Sequence, residues 1–337
     1  MLARQQTDAS GAYAPKDAGA GGGFAKDHMV QHVQTKTEIR EILASLGVRP
    51  HKRFGQHFLI DGNLMRRLAA AAEIGSDDAV LEVGAGTGGL TDLLAAAAGG
   101  VLAVEIDRAL AGFLRDRFAE RPNVRVIQAD ALANKNRTAP QVIDAVNEMA
   151  KATRGRVALV ANLPYSVASP LLANLLHDLP VVTRMCFTVQ RDVAERIEAA
   201  PGTKAYGPLS ITLQAVTRIG RIARVPATAF WPAPRVESTM LRLDVRPQPP
   251  LDHPERIVGF ARLVREAFLH RRKTLKFNLA HCLDQAACAA AAELIDLTRR
   301  PEDLNVDEWI DLYRRTRSGW PQADKEADPG PQKGLLP

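Results

Sequence analysis

Val80-Leu81-Glu82-Val83-Gly84-Ala85-Gly86-Thr87-Gly88-Gly89-Leu90-Thr91 is the stretch that decides the fold. An apolar run carrying one carboxylate enters a glycine turn, and a helical pattern follows at once. Without Cβ atoms, Gly84 and Gly86 let backbone N–H groups approach a ligand closely. The N-terminus of the next helix adds partial positive charge. Taken alone, the turn reads equally well as a tight strand-to-helix connection.

Outward from it, short β-branched runs recur at 79–83, 101–105, 124–128, 157–161 and 185–189. Helical stretches lie between and after them, near 90–98, 108–119, 141–150, 170–178 and 191–199. Strand–helix alternation at this rhythm predicts an α/β fold, a parallel sheet with helices on both faces. From about Leu209 the alternation is expected to stop. Residues 217–225 and 237–245 then read as a closing antiparallel pair around the Pro-rich loop 226–234. Pro247, Pro249 and Pro250 mark a boundary. Residues 254–317 read as helical throughout, with Ile257, Phe260, Val264 and Phe268 along one stripe.

Ahead of the sheet, a helix over 37–46 is expected to turn Ile39, Ile42 and Leu46 inward. Asp61 is positioned to cap a second helix carrying Leu64, Leu68 and Ala72. Residues 1–30, rich in Gly and Ala, read as a disordered leader and 319–337 as a flexible tail. The expected units are therefore 31–248 and 249–318.

Glu105 ends the second strand, about twenty residues past the glycine turn, where an acid binds ribose hydroxyls. Asp130 follows the third strand. Gly, Glu and Asp thus converge on one sheet edge, the edge at which open α/β sheets bind ligands. Two ligand classes fit. A nicotinamide dinucleotide needs a seat for its pyrophosphate, whereas S-adenosylmethionine has a ribose, an adenine and a charged amino acid but no phosphate. An acid after the third strand, able to accept from an adenine amino group, favours S-adenosylmethionine, as does Glu82 leading the glycines.

Asn162-Leu163-Pro164-Tyr165 follows directly on the fourth strand. A turn after a strand is the plain alternative. The chemical one is specific: the exocyclic amine of a base is a poor nucleophile because its lone pair is delocalised into the ring. An Asn side-chain oxygen and a carbonyl of a Leu-Pro turn can accept its hydrogens and turn the lone pair outward. Pro164 stiffens the turn, and the Tyr165 ring can stack on an extruded base. Such work is positioning and charge stabilisation, so no metal is expected.

The chain has 337 residues, 46% hydrophobic, with a formal charge of +6. That excludes disorder of the whole chain. No apolar run approaches the ~20 residues of a membrane helix, and no secretory h-region is present. Three cysteines without a C-x-x-C provide neither a disulfide framework nor a zinc ribbon. A cytoplasmic location and no membrane partner are expected. The charge is uneven: residues 56–183 hold 12 basic and 14 acidic groups, whereas 184–225 hold 7 and 3. The basic excess avoids the proposed small-molecule edge and follows it in sequence, which fits a polyanionic partner and an ordinary solvated surface alike.

The blocks Phe54-Gly55-Gln56-His57-Phe58-Leu59, 83–88, Glu105-Ile106-Asp107, Asp130-Ala131-Leu132 and Asn162-Leu163-Pro164-Tyr165-Ser166 resemble those of the KsgA/RsmA family. So do 189–193, 206–210, 225–238 and His270-Arg271-Arg272-Lys273-Thr274, all in the family's order across roughly 36–317. This family comprises the small-subunit ribosomal RNA adenine N6,N6-dimethyltransferases, relatives of the Erm enzymes. His57 stands where the family often has Asn, and Ser166 replaces a frequent Asn.

The resemblance implies a class I, Rossmann-like methyltransferase. Its sheet would be seven-stranded and mostly parallel, with a small all-helical C-terminal domain. It implies S-adenosylmethionine contacts at His57, Leu59, Gly84, Gly86, Glu105, Asp130 and Asn162, and catalysis by Asn162, Leu163, Pro164 and Tyr165. The target adenine would lie against Tyr165 with Phe187 on its other face. RNA phosphates would meet Arg271, Arg272 and Lys273, and more weakly Arg184, Arg191, Arg196 and Lys204.

The implied reaction is dimethylation of N6 on two adjacent adenosines in a 3′-terminal hairpin of 16S rRNA, during small-subunit maturation. The implied partners are the small subunit and its rRNA, the enzyme acting as a monomer. An Erm-like methyltransferase of large-subunit rRNA, a non-catalytic assembly factor and a dinucleotide dehydrogenase are the competing expectations.

Overall fold

The computed structural model describes residues 33–50, 55–251 and 253–319. The expected leader and nearly all of the expected tail lie outside them.

Helix α1 (Lys36–Ser45) starts at a capping box, the Thr35 side chain accepting from Glu38 N while Glu38 reaches back to Thr35 N. Its buried residues are Ile39 and Leu43, one turn apart; Ile42 and Leu46, expected inward, are half-buried. Helix α2 (Gly62–Ala71) is capped by Asp61, which accepts from both Asn63 N and Leu64 N. Met65 and Leu68 face inward, with half-buried Leu64 at their flank.

The sheet has seven strands: β1 (Ala79–Val83), β2 (Gly100–Glu105), β3 (Val124–Gln128), β4 (Val157–Asn162), β5 (Val182–Gln190), β6 (Thr217–Val225) and β7 (Ser238–Val245). Their order is β3-β2-β1-β4-β5-β7-β6. The first five are parallel, and β7 runs antiparallel between β5 and β6. Every residue of β1 and β2 is buried, as helices on both faces require. Those helices are α3 (Gly89–Ala97), α4 (Arg108–Arg117), α5 (Pro140–Ala152), α6 (Ala168–Asp178) and α7 (Arg191–Ile197). The strand order reverses between β1 and β4, which opens a crevice at their carboxyl ends.

The alternation does not stop at Leu209. Helix α8 (Pro208–Val216) precedes β6, with Pro208 in its first turn and Gly207 before it. Ile211, Thr212 and Val216 obscure it in sequence, because β-branched residues lower helix propensity while tertiary packing overrides the preference. Nor is 254–317 one helical run. It divides into α9 (Pro254–Ala267), α10 (Leu275–Leu279), α11 (Gln285–Leu294) and α12 (Val306–Thr316). The breaks fall where Thr274, Asp284 and Asn305 each accept a hydrogen bond from the first turn of the next helix.

Phe260 and Trp309 of these helices share one hydrophobic cluster with Leu159 and Phe187 of the sheet. The C-terminal helices therefore pack onto the α6–α8 face without a break in the core. On the opposite face, Cys186 is fully buried, and burial pushes its thiol up to about 12.

Candidate active site

A cavity of about 350 Å³ opens at the carboxyl ends of β1, β2 and β4. The glycine turn forms its floor. Gly84 and Gly86 have φ of 80° and 61°, values that side chains disfavour. A Cβ on Gly84 would lie 2.9 Å from Pro164 Cγ, and one on Gly86 would lie 3.0 Å from the Phe58 ring. Gly84 is thus required by the Asn162–Tyr165 turn as much as by any ligand. Gln34, buried in the cavity wall, braces the loop: its Nε2 donates to Thr87 O at 2.9 Å, and Thr87 Oγ1 donates back to Gln34 Oε1 at 2.6 Å.

Two carboxylates line this cavity below the surface. Glu105 accepts from Gly86 N at 2.8 Å and from Asp107 N at 2.9 Å, and burial holds its carboxyl above the usual range. Glu82 accepts from Thr91 Oγ1 at 2.6 Å, and burial pushes it up to about 8, with Glu105 adding repulsion. Among the described residues, neither carboxylate has an ion-pair partner. Asp130 is exposed at the rim, accepting from Leu132 N.

Asn162 ends β4. Its Nδ2 donates to His57 O at 2.8 Å, which fixes the amide orientation, since a carbonyl can only accept. The opposite atom, Oδ1, is buried and has no partner among the described residues. The Pro164 carbonyl is taken by Val167 N at 3.1 Å. Tyr165 stacks on His57, centroids 5.3 Å apart at 29°, and its hydroxyl lies 2.8 Å from Ser238 Oγ. Burial raises the phenol's pKa, so Tyr165 stays neutral. His57 Nδ1 donates to Pro232 O at 2.6 Å, and residues 58–59 pair antiparallel with 230–231. The Pro-rich loop thereby buttresses the mouth.

The structure brings His57, Leu59, Gly84, Gly86, Glu105, Asp130, Asn162, Leu163, Pro164 and Tyr165 together around this one cavity. Phe187 is a correction. It sits mid-strand between Ala161 of β4 and Leu241 of β7, fully buried in the core, and has no face for a base.

Arg184 is another. It donates to Asp244 at 2.6 Å, to Glu73 at 2.8 Å and to Ala72 O at 2.8 Å, and is 9% exposed. Arg191 pairs with Glu195 and Glu237, and Arg196 with Asp192. Arg271 is spent on Glu302, Lys204 O and Thr203 O, leaving Arg272 and Lys273 as the exposed cations of that block. Phe58, Pro232, Ser238 and Gln34 support the site without having been singled out. The Pro-rich loop gave a signal for Pro232, but nothing in the sequence marks Gln34.

The chain matches the family model described as ribosomal RNA adenine dimethylase over residues 47–317. A ribosomal RNA small subunit methyltransferase A of Streptomyces coelicolor is 40% identical over 280 residues, covering 81% of this chain and 93% of that protein. One from Synechococcus sp. (strain WH7803) is 37% identical over 291 residues, 83% and 98% of the two chains.

Among solved structures, a dimethyladenosine transferase from Plasmodium falciparum is similar, with a TM-score of 0.63 at 21% identity over 78% of this chain and 98% of that one. The 23S rRNA methyltransferase ErmE gives 0.55 at 24%, over 77% and 99%. These two likenesses establish the Rossmann-like methyltransferase fold. With four-fifths of its length under one family model and relatives near 40% identical, the chain belongs to the ribosomal RNA adenine dimethylase family.

Proposed function

We propose that the chain transfers methyl groups from S-adenosylmethionine to N6 of two adjacent adenosines in a 3′-terminal hairpin of small-subunit rRNA, acting on the small subunit during its maturation. The observation that carries this is Asn162 Oδ1: a buried acceptor without a partner, its amide fixed by His57 O, at the edge of the cavity that holds the glycine turn.

The cofactor fits the residues present. Glu82 and Glu105 are buried carboxylates lacking a cation among the described residues, and Glu105 lies where ribose hydroxyls are bound in such sheets. Gly84, Gly86 and Leu59 line the same cavity, and Asp130 waits at its rim for the adenine amino group. Bound S-adenosylmethionine supplies an electrophilic methyl group on a sulfonium sulfur.

The chain's own residues prepare the nucleophile. Asn162 Oδ1 accepts one N6 hydrogen. A carbonyl of the Leu-Pro turn, where Pro164 O already accepts from Val167 N, takes the other. With both hydrogens held in place, the nitrogen lone pair faces the donor. Tyr165, neutral and tethered to Ser238, stacks on the extruded base. Arg272 and Lys273 contribute phosphate contacts from the helical region.

The test is tritiated methyl transfer to small subunits purified from a strain lacking the endogenous enzyme, followed by mapping of dimethyladenosine. Two adjacent N6,N6-dimethyladenosines near the 3′ end of 16S rRNA are expected. Methylation of isolated large-subunit RNA, with none of small subunits, would overturn the proposal in favour of an Erm-like role.

A further inference from the structure

Beside the mouth lies a groove of about 990 Å³, between the exposed face of α1 and the Trp231–Pro232 turn. It adjoins the active site through short connections. Pro232 O holds His57, and Trp231 pairs with Phe58 and stacks on its ring at 6.4 Å. That Phe58 ring is the one a Cβ on Gly86 would strike.

The groove carries cations that are not committed to carboxylates among the described residues. Arg117, Arg125, Arg191, Arg196 and Arg221 all sit in ion pairs. Arg40 and Arg49, both exposed and both lining the groove, have no such partner among the described residues. Glu41 is the one acid among the described lining residues. Two uncommitted guanidiniums flanking a half-buried indole are a combination suited to single-stranded nucleic acid, the cations meeting phosphates and the ring stacking a base.

We infer that this groove seats the substrate RNA strand immediately beside the target adenosine, Arg40 and Arg49 holding its phosphates and Trp231 a flanking base. The inference rests on the proposed methyl transfer to rRNA. A base extruded against Tyr165 draws its neighbours past His57, and the wall they then meet is Pro232 and Trp231. The neighbouring nucleotide is thereby held in reach while the first one reacts.

The experiment uses the full chain carrying Arg40→Glu and Arg49→Glu together, with unmethylated small subunits as the probe. Both side chains are exposed, so melting temperature and S-adenosylmethionine affinity should match the parent. KM for subunits should rise about ten-fold with kcat within two-fold. The slope of log K against log salt should flatten by about 1.4, two contacts at ~0.7 each. Trp231→Leu, which keeps an apolar contact with Phe58, should raise KM a few-fold. A photocross-linker at Ala44, on the same face of α1, should capture 16S rRNA.

Unchanged KM and salt slope in the double variant overturn the inference, as does cross-linking to a ribosomal protein instead of RNA. Failure of the parent enzyme to methylate small subunits would instead count against the proposed function itself. A normal parent beside an indifferent double variant counts against the groove alone.

Discussion

Charge is buried at two places on this sheet, and the two are finished differently. On the β5–β7 flank, Arg184 and Arg242 are 9% and 6% exposed, and every charge is answered. Arg242 donates to Asp244 at 2.7 Å, to Glu73 at 2.7 Å and to Ala71 O at 2.9 Å, while Arg184 takes the other oxygens of the same carboxylates. At the carboxyl ends of β1 and β2, Glu82 and Glu105 are buried as deeply, with no cation beside them among the described residues. The closed cluster fastens the end of α2 to the sheet. The open one is left for a ligand to complete, since buried charge is costly unless compensated.

The largest expected effect comes from the open side. Asn162→Ala should lower turnover on unmethylated small subunits by about 10²–10³-fold, the loss typical of one fixed polar group that acts in the transition state. S-adenosylmethionine affinity by calorimetry should change far less; an equal loss in both would make Asn162 a binding residue only. On the closed side, Arg242→Ala should destabilise the fold by about 3 kcal/mol in urea unfolding, because Glu73 and Asp244 lose a shared partner. An unchanged midpoint would mean that the network is decorative.

The pH dependence separates the two clusters further. With Glu82 pushed up to about 8, the folded chain holds a proton that the unfolded chain releases near the ordinary carboxylate range. Between those limits, stability should therefore fall as pH rises, and Glu82→Gln should flatten the slope of melting temperature from pH 5.5 to 8.5. Binding a cationic ligand favours the ionised carboxylate, so affinity for S-adenosylmethionine should climb towards pH 8 in the parent and not in the variant.

The smallest effect applies the same distinction to one block of sequence. Arg271→Ala should cost stability, because its guanidinium joins Glu302 to Thr203 O and Lys204 O. Arg272→Ala with Lys273→Ala should spare the melting temperature and flatten the salt dependence of RNA binding by about one to two units of slope. The reverse pattern would remove the RNA contact from this block.

Much of the site was legible because its residues sit at strand ends and in turns, where local chemistry dictates residue type. Gly84, Glu105, Asp130 and Asn162 each follow a β-branched run by a step or two, and period-two patterning brings such ends to one edge. Phe187 failed for the same reason in reverse. An aromatic residue in mid-strand is indistinguishable in sequence from one at a rim, and only the helices covering both faces make it core. Helix α8 was missed because packing, not propensity, stabilises it. The breaks in the C-terminal helices hang on single capping side chains, which a periodicity reading passes over.

The sequence by itself determined the α/β class, the sheet edge at which Gly84, Glu105 and Asp130 meet and the place of the Asn-Leu-Pro-Tyr turn, since all three rest on patterns among residues close along the chain. Only the tertiary structure decided which charges are committed. Arg184, Arg271 and Arg40 look alike as letters. Their partners lie tens to more than a hundred residues away for Arg184 and Arg271, and Arg40 has none among the described residues. Distance in sequence carries no electrostatic information; the fold supplies it by bringing remote carboxylates and carbonyls within about 3 Å of one guanidinium and none of another.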